Sequence, residues 1–284
     1  GALAIKDGLD TAYVGWNPES DMGNIEVWEQ SMPMVYIGRS IVANSGGAGK
    51  YRGGCSFVST WVINKTDHLR LVTSEHSSRV FDNGGLCGGY PAPALQKHQA
   101  ARNSNIHKLA EKRAPLAHAP GTNPYRSDLE LRFGGEHATV EGPYITAPHK
   151  AGDIFSHSYN GGGGYGDVLE RDPLKTAMDV ENGFLTTQAA HDVFGIVLNE
   201  DEDGYPRADL EATGRRRSEM REDRLAKAVP VSEWIAGERR RVEKADFAPE
   251  VRRMYASAMK LSQRFTKDFS DFWNVDGKST FGVE

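Results

Sequence analysis

Four consecutive glycines, Gly161 to Gly164, stand directly before Tyr165, Gly166 and Asp167. Residues without a Cβ let a backbone turn sharply and approach another group closely. Polar side chains beside such a run can be delivered to a ligand. Tyr165 and Asp167 are therefore candidate catalytic groups, and His157, just upstream, is a candidate acid–base group. The same glycines also suit a tight structural crossing, the commoner use of such a run. Gly161, Gly163 and Gly166 also satisfy the spacing of a dinucleotide loop. The rest of that fold is not in place: Asp172-Pro173 interrupts the required helix, and no distinctive acidic residue follows about 20 positions on.

Other patterns carry less chemistry. Asn44 to Lys50 invites a phosphate-loop reading, but Asn44 replaces the first glycine and Tyr51 replaces the magnesium-binding hydroxyl. Lys50-Tyr51-Arg52-Gly53-Gly54 reads instead as a turn whose glycines permit a hairpin or bulge. The 9 histidines include no pair at metal-binding spacing, and no metal ligand is assigned. Ser74 to Arg79 is a polar cluster at a strand end, in which His76 is either a general base or a hydrogen-bonded structural residue. His149 and His157 have the same standing. No Ser-His-Asp or Cys-His set can be assembled from spacing.

These residues need elements to hold them. Met34 to Val42 and Cys55 to Ile63 are β-branched and aromatic, and predict two strands. Leu69 to Thr73 then reads as the returning strand of a hairpin. Ala94 to Arg113 is rich in Ala, Gln, Lys and His, which predicts a helix from about 94 to 104. Pro115, Pro120 and Pro124 predict an extended stretch, and Asp128 to Phe133 and His137 to Val140 short strands. Asp153 to Tyr159 alternates, as a strand entering the glycine loop would. Pro173 suits the first turn of a helix closed by Asn182-Gly183. Thr186 and Thr187 can cap a second helix, and Phe194 to Leu198 reads as a strand. From Asp209 onward the chain reads as helical, with Ser232 as an N-cap. Pro249 starts a last helix striped with Met254, Tyr255, Leu261, Phe265 and Phe269. The fold class is α+β: a mixed, Gly-rich β core over residues 1–205 and a helical C-terminal region over 206–284, expected as a subunit interface.

Composition bounds the function. A chain of 284 residues with a formal net charge of −5 lacks the basic excess of a dedicated nucleic-acid binder. The Arg-rich stretch from Arg207 to Arg264 is interleaved with acids, as on a solvated or interface helix. The 2 cysteines, Cys55 and Cys87, are too few for a disulfide framework and read as reduced, partly buried thiols. No apolar run reaches the roughly 18 residues of a membrane span, and no signal-peptide pattern opens the chain. The expected location is cytoplasmic. Gly1 in place of Met fits either a tag scar or a piece of a longer chain.

Taken in order, several motifs resemble the hydantoinase B and acetone carboxylase alpha group. They are Gly49-Lys50-Tyr51-Arg52-Gly53-Gly54, the glycine run with Tyr165-Gly166-Asp167, and Glu170-Arg171-Asp172-Pro173. Asp179-Val180-Glu181-Asn182-Gly183 and Phe194-Gly195-Ile196-Val197 follow. The opening Trp16-Asn17-Pro18-Glu19-Ser20-Asp21-Met22-Gly23 and the tail from Arg224 through Trp273 are similar to the carboxylase branch. The resemblance implies an ATP-dependent enzyme that phosphorylates a ketone enol and bicarbonate. Its product would be acetoacetate, with AMP and phosphate released. It further implies beta and gamma subunits, manganese, and an N-terminal part of the same subunit that holds the manganese ligands. Two alternatives stand beside it: an ATP-dependent hydantoin or lactam amidohydrolase, whose relatives share the glycine loop, and a non-catalytic assembly module whose last helix buries Met254, Phe265 and Phe269 against a partner.

Overall fold

Alternating and β-branched segments near the N-terminus build one antiparallel sheet. The computed structural model describes residues 1–11, 24–73, 83–93, 97–114, 133–140, 144–145 and 148–283. In chain order come α1 (Ile25–Ser31), β1 (Met34–Ile41), β2 (Phe57–Ile63), β3 (Val72–Thr73) and β4 (Lys97–Arg102). Then follow α2 (Ile106–Glu111), β5 (Glu136–Val140), β6 (Tyr144–Ile145) and β7 (Ile154–Ser158). The five-stranded sheet has the order β1-β2-β7-β4-β5, every neighbouring pair antiparallel. β3 pairs with β6 in a separate ribbon.

Because side chains alternate across a strand, the register sorts this sheet into two faces. Val62, Ile154 and Ala101 are paired across β2, β7 and β4 and pack with Ile106 and Phe133 into a core. The opposite face carries a row of Arg39, Ser59, His157 and His98, aligned strand to strand.

After a short 3-10 turn at Val168–Glu170 come α3 (Pro173–Glu181) and α4 (Thr187–Asp192). Asp172 accepts from Leu174 N at the start of α3, where Pro173 occupies the first turn, and Thr186 accepts from Ala189 N at α4. Both are side-chain caps that satisfy otherwise orphaned amides. A second core of Val168, Leu169, Leu185, Ala190, Phe194 and Ile196 lies beneath them. A two-stranded ribbon of β8 (Leu198–Glu200) and β9 (Pro206–Ala208) leads into α5 (Leu210–Lys227).

The chain divides into two compact units, Gly1–Met220 and the remainder from Arg221. The second unit holds α6 (Val231–Glu243), α7 (Pro249–Leu261), α8 (Gln263–Trp273) and α9 (Gly277–Thr280). Val242, Met259, Phe269 and Val283 form its core, with Tyr255, Phe265 and Phe281 packed around them. Most of the predicted aromatic stripe is thus engaged inside this unit, while Met254, Leu261 and Phe272 remain exposed. No helix among the described residues is long and apolar enough to cross a membrane.

Several expectations are corrected. The described part of 94–104 is a strand, not a helix, since β7 and β5 pair with it on both sides; tertiary pairing overrides Ala-rich propensity. The returning strand after β2 is absent as a partner: β2 lies between β1 and β7. Phe194 to Val197 is irregular chain, buried through Ile196, with strand only from Leu198. Pro230, not Ser232, stands at the N-cap position of α6, which has no side-chain cap. The last long helix is two, broken at extended Ser262, whose side chain caps α8 by accepting from Phe265 N.

Candidate active site

The glycine loop lies in a lattice of close backbone crossings. The amides of Gly47 and Gly162 donate to the carbonyls of Gly162 and Gly54 at 2.8 and 2.9 Å, and Gly164 N donates to Tyr90 O at 2.9 Å. Tyr51 and Tyr165 exchange backbone hydrogen bonds at 3.0 and 2.9 Å, and Leu86 N donates to Gly164 O at 3.0 Å. A Cβ at Gly53 would overlap the carbonyl of Gly162, and one at Gly161 would overlap the carbonyl of Ser45. The four glycines are therefore required by neighbouring backbone, which is the structural-crossing alternative.

Asp167 accepts from Leu169 N at 2.9 Å and caps the 3-10 turn. Tyr165 is half-buried, and a hydrogen bond with the exposed Cys87 raises its phenol above the ordinary range. Cys87 is thus more exposed than expected. Buried Cys55 is pushed up to about 11 by burial; neither cysteine is bonded to another.

Beneath the loop the shared motifs converge on one buried ion-pair network. Arg52 binds Asp10 through Nη1 and Nη2 at 2.6 and 3.1 Å and reaches Asp179 through Nε at 3.1 Å. Arg171, fully buried, binds both oxygens of Asp7 at 2.7 and 2.9 Å and Asp179 Oδ2 at 2.6 Å. Burial disfavours every one of these charges. It raises the carboxyls of Asp7 and Asp10, but the paired guanidiniums outweigh it and hold both below the usual carboxylate range. Arg217 donates to Phe194 O at 3.0 Å and to Arg171 O at 2.7 Å, tying α5 to the network. The sequence does not single out Asp7 and Asp10, and it offers Arg52 only as a member of a glycine turn. An arginine inside a glycine turn, facing two acids near the N-terminus, was the available signal.

The third predicted residue, His157, has different neighbours. Its Nδ1 stands 2.6 Å from Nδ1 of His98, its cross-strand partner on β4. Phe155 stacks on His98 at 5.4 Å between centroids, and Tyr159 tilts against His157 at 4.0 Å. Burial pushes His98 down to about 4, and burial with the neighbouring imidazole pushes His157 down to about 3. Both rings are therefore neutral at pH 7. His157 Nε2 is buried with no hydrogen-bond partner among the described residues. His149 lies 3.6 Å from Asp153 Oδ2, a carboxylate that also accepts from Asn103 N and Lys150 N. The structure thus gives His157 one partner set and the pair Tyr165 and Asp167 another. His76 and its cluster, and the segment Trp16 to Gly23, lie outside the described residues.

The paired histidines do not fit a shared metal ion. Among the described residues no group of three or more His, Cys, Asp or Glu is arranged to hold one. The paired Nδ1 atoms, 2.6 Å apart, face each other more closely than the roughly 3.3 Å that separates two ligands of a tetrahedral ion with bonds of about 2.0 Å. At that separation they fit a hydrogen bond and not a shared ion.

Comparison with known proteins bears on the whole chain. The family model for hydantoinase B/oxoprolinase matches residues 1–168. The acetone carboxylase alpha subunit of Xanthobacter autotrophicus (strain ATCC BAA-1158 / Py2) is 37% identical over 100% of this chain and 37% of its own length. The caprolactamase subunit beta of Pseudomonas jessenii is 30% identical over 69% of this chain and 28% of its own length. A nucleotide-free acetone carboxylase structure superposes with a TM-score of 0.84 at 36% identity, over 97% of this chain and 36% of that one. The chain spans only 28% to 37% of the length of these relatives.

Proposed function

We propose, for a chain that belongs to the hydantoinase B/oxoprolinase family, that it forms part of a subunit of an ATP-dependent ketone carboxylase. Its reaction joins acetone to bicarbonate, giving acetoacetate through phosphorylated intermediates. The single observation that carries this reading is similarity to a carboxylase alpha subunit over the entire chain, helical unit included. The match to a lactam-cleaving relative stops at 69% of the chain.

The ketone must lose a proton from carbon to become a nucleophilic enol, and bicarbonate must be activated to an electrophile. ATP supplies the activation; nucleotide and manganese are assigned to parts of the protein beyond this chain. Within the chain, His157 takes the acid–base role; its Nε2 is a buried ring nitrogen with no hydrogen-bond partner among the described residues. Tyr165 and Asp167 position the glycine loop that runs on from β7. The low dielectric around buried groups strengthens such preorganised interactions. Partner subunits are expected against the helical region, where Leu225, Val231, Trp234 and Phe272 are exposed, and the location is cytoplasmic.

The amide-cleaving reading is favoured by one observation, the 30% identity to a caprolactamase subunit. Nucleotide turnover separates the two. Formation of AMP by the whole complex should require acetone together with bicarbonate. Nucleotide consumption driven by a lactam without bicarbonate would overturn the carboxylase assignment.

A further inference from the structure

We infer that the free edge of β1 is a docking edge for an extended segment of the same subunit, one that lies beyond this chain and sets an Asp or Glu against Arg39. This rests on the chain being part of a longer subunit, and not on which reaction that subunit runs.

The ladder fixes which backbone groups are open. Ile63 N donates to Asp153 O and Tyr159 N donates to Phe57 O. Phe57, Ser59, Trp61 and Ile63 therefore turn their backbone toward β7, while Val42 N, donating to Ser56 O, shows that the alternate residues of β2 serve β1. Arg39 and Ile41 pair with Ser59 and Phe57, so their own amides and carbonyls point away from the sheet. β1 is an end strand, and these groups have no hydrogen-bond partner among the described residues. The other end of the edge is closed, since Glu29 of α1 accepts from Tyr36 N at 2.7 Å. The open stretch begins beyond the irregularity between Tyr36 and Gly38. Unpaired backbone on an edge strand is a template to which extended chain adds.

Charge selects the occupant. Arg39 is partly buried. It donates to Ser59 Oγ at 3.2 Å and to Tyr36 Oη at 3.0 Å, and lies over the Phe57 ring at 5.8 Å. These partners are neutral, and no acid pairs with Arg39 among the described residues. A charge taken partly out of water favours a counter-charge. A carboxylate opposite Arg39 on the incoming segment supplies one, as a cross-strand pair on the same face. A second copy of β1 cannot supply it, because Met34–Ile41 holds no Asp or Glu and would bring another Arg39. The same subunit has chain to spare: this chain covers 37% of the matched carboxylase alpha subunit. A covalently joined segment also reaches the edge at high effective concentration. The docked acid continues the row of Arg39, Ser59 and His157 across the sheet.

The test follows hydrogen exchange at single amides in the whole subunit, alone and within its complex. The Arg39 and Ile41 amides should exchange at least about 100-fold more slowly than unprotected amides in both. Arg39→Glu sets like charges together and should return both amides to within a few-fold of unprotected exchange, with the Ser59 amide, turned toward β7, still slow. A photo-reactive phenylalanine in place of Val35, 38% exposed, should cross-link to the same polypeptide outside this chain. Fast exchange at Arg39 and Ile41 in the unmodified subunit overturns the docking edge. Both amides still slow in Arg39→Glu overturns the acidic occupant. If Ser59 becomes fast as well, the sheet has been lost and the cross-link decides. Slow exchange that begins only on assembly with other subunits, or a cross-link to a different chain, overturns the assignment to the same subunit. None of these readouts involves ATP turnover, so failure here is separate from failure of the carboxylase assignment.

Discussion

Asp179 receives both Arg52 and Arg171 on one oxygen, so three separate motifs depend on a single carboxylate. Removing one partner of a buried ion pair leaves its charge uncompensated and costs roughly 3–5 kcal/mol. Arg171→Met should therefore lower stability by about that amount, read as a fall in the urea midpoint. A change within about 0.5 kcal/mol, typical of surface sites, would mean the network is not what holds the loop. Asp167→Ala should cost about 1 kcal/mol through its lost cap, and Asp167→Asn much less. The sequence points to Arg171, Asp179 and Asp167 as motif members without saying that the first two pair with each other or that Asp167 caps a turn. Asp7 and Asp10 stayed unseen because their partners lie far away along the chain.

At the scale of elements, the crossing of the glycine segments and the β4–β7 pair decide most. Gly53→Ala would drive its Cβ into the Gly162 carbonyl and should prevent folding, whereas a Cβ at Gly214, in α5, would meet nothing within 4 Å. Gly214→Ala should stabilise by up to about 1 kcal/mol, read by the same urea titration. The imidazole pair adds a pH dependence. Both folded values, about 4 for His98 and about 3 for His157, lie below the ordinary 6.5. Between those limits the unfolded chain binds more protons, so stability is full above about 6.5 and falls as the pH drops toward 4. Each ring adds a slope of up to about 1.4 kcal/mol per pH unit. Replacing both by Phe should flatten the urea midpoint between pH 7 and 5, and an unchanged slope would contradict burial of neutral rings. The alternation around His157 was legible as a strand. His98 was not, because Ala, Gln and Lys around it favour a helix locally and only its two strand neighbours overrule that.

At the scale of the molecule, the α+β class and the helical C-terminal region could be read from periodicity. The internal packing of Phe265 and Phe269 could not, since a stripe at helical spacing looks the same facing a partner or its own core. The division of the described chain falls within α5 after Met220. The order of motifs identified the family because each motif answers to a demand of the fold: glycines for backbone contact, Arg171 and Asp179 for the buried network. For that reason those motifs alone do not choose between carboxylation and amide cleavage. The deciding measurement is ATP-dependent incorporation of labelled bicarbonate by the whole complex, with acetone present and absent. The carboxylase reading expects acid-stable label only when acetone and ATP are both supplied. No label under those conditions, with ATP consumed only when a lactam or hydantoin is added, would contradict it.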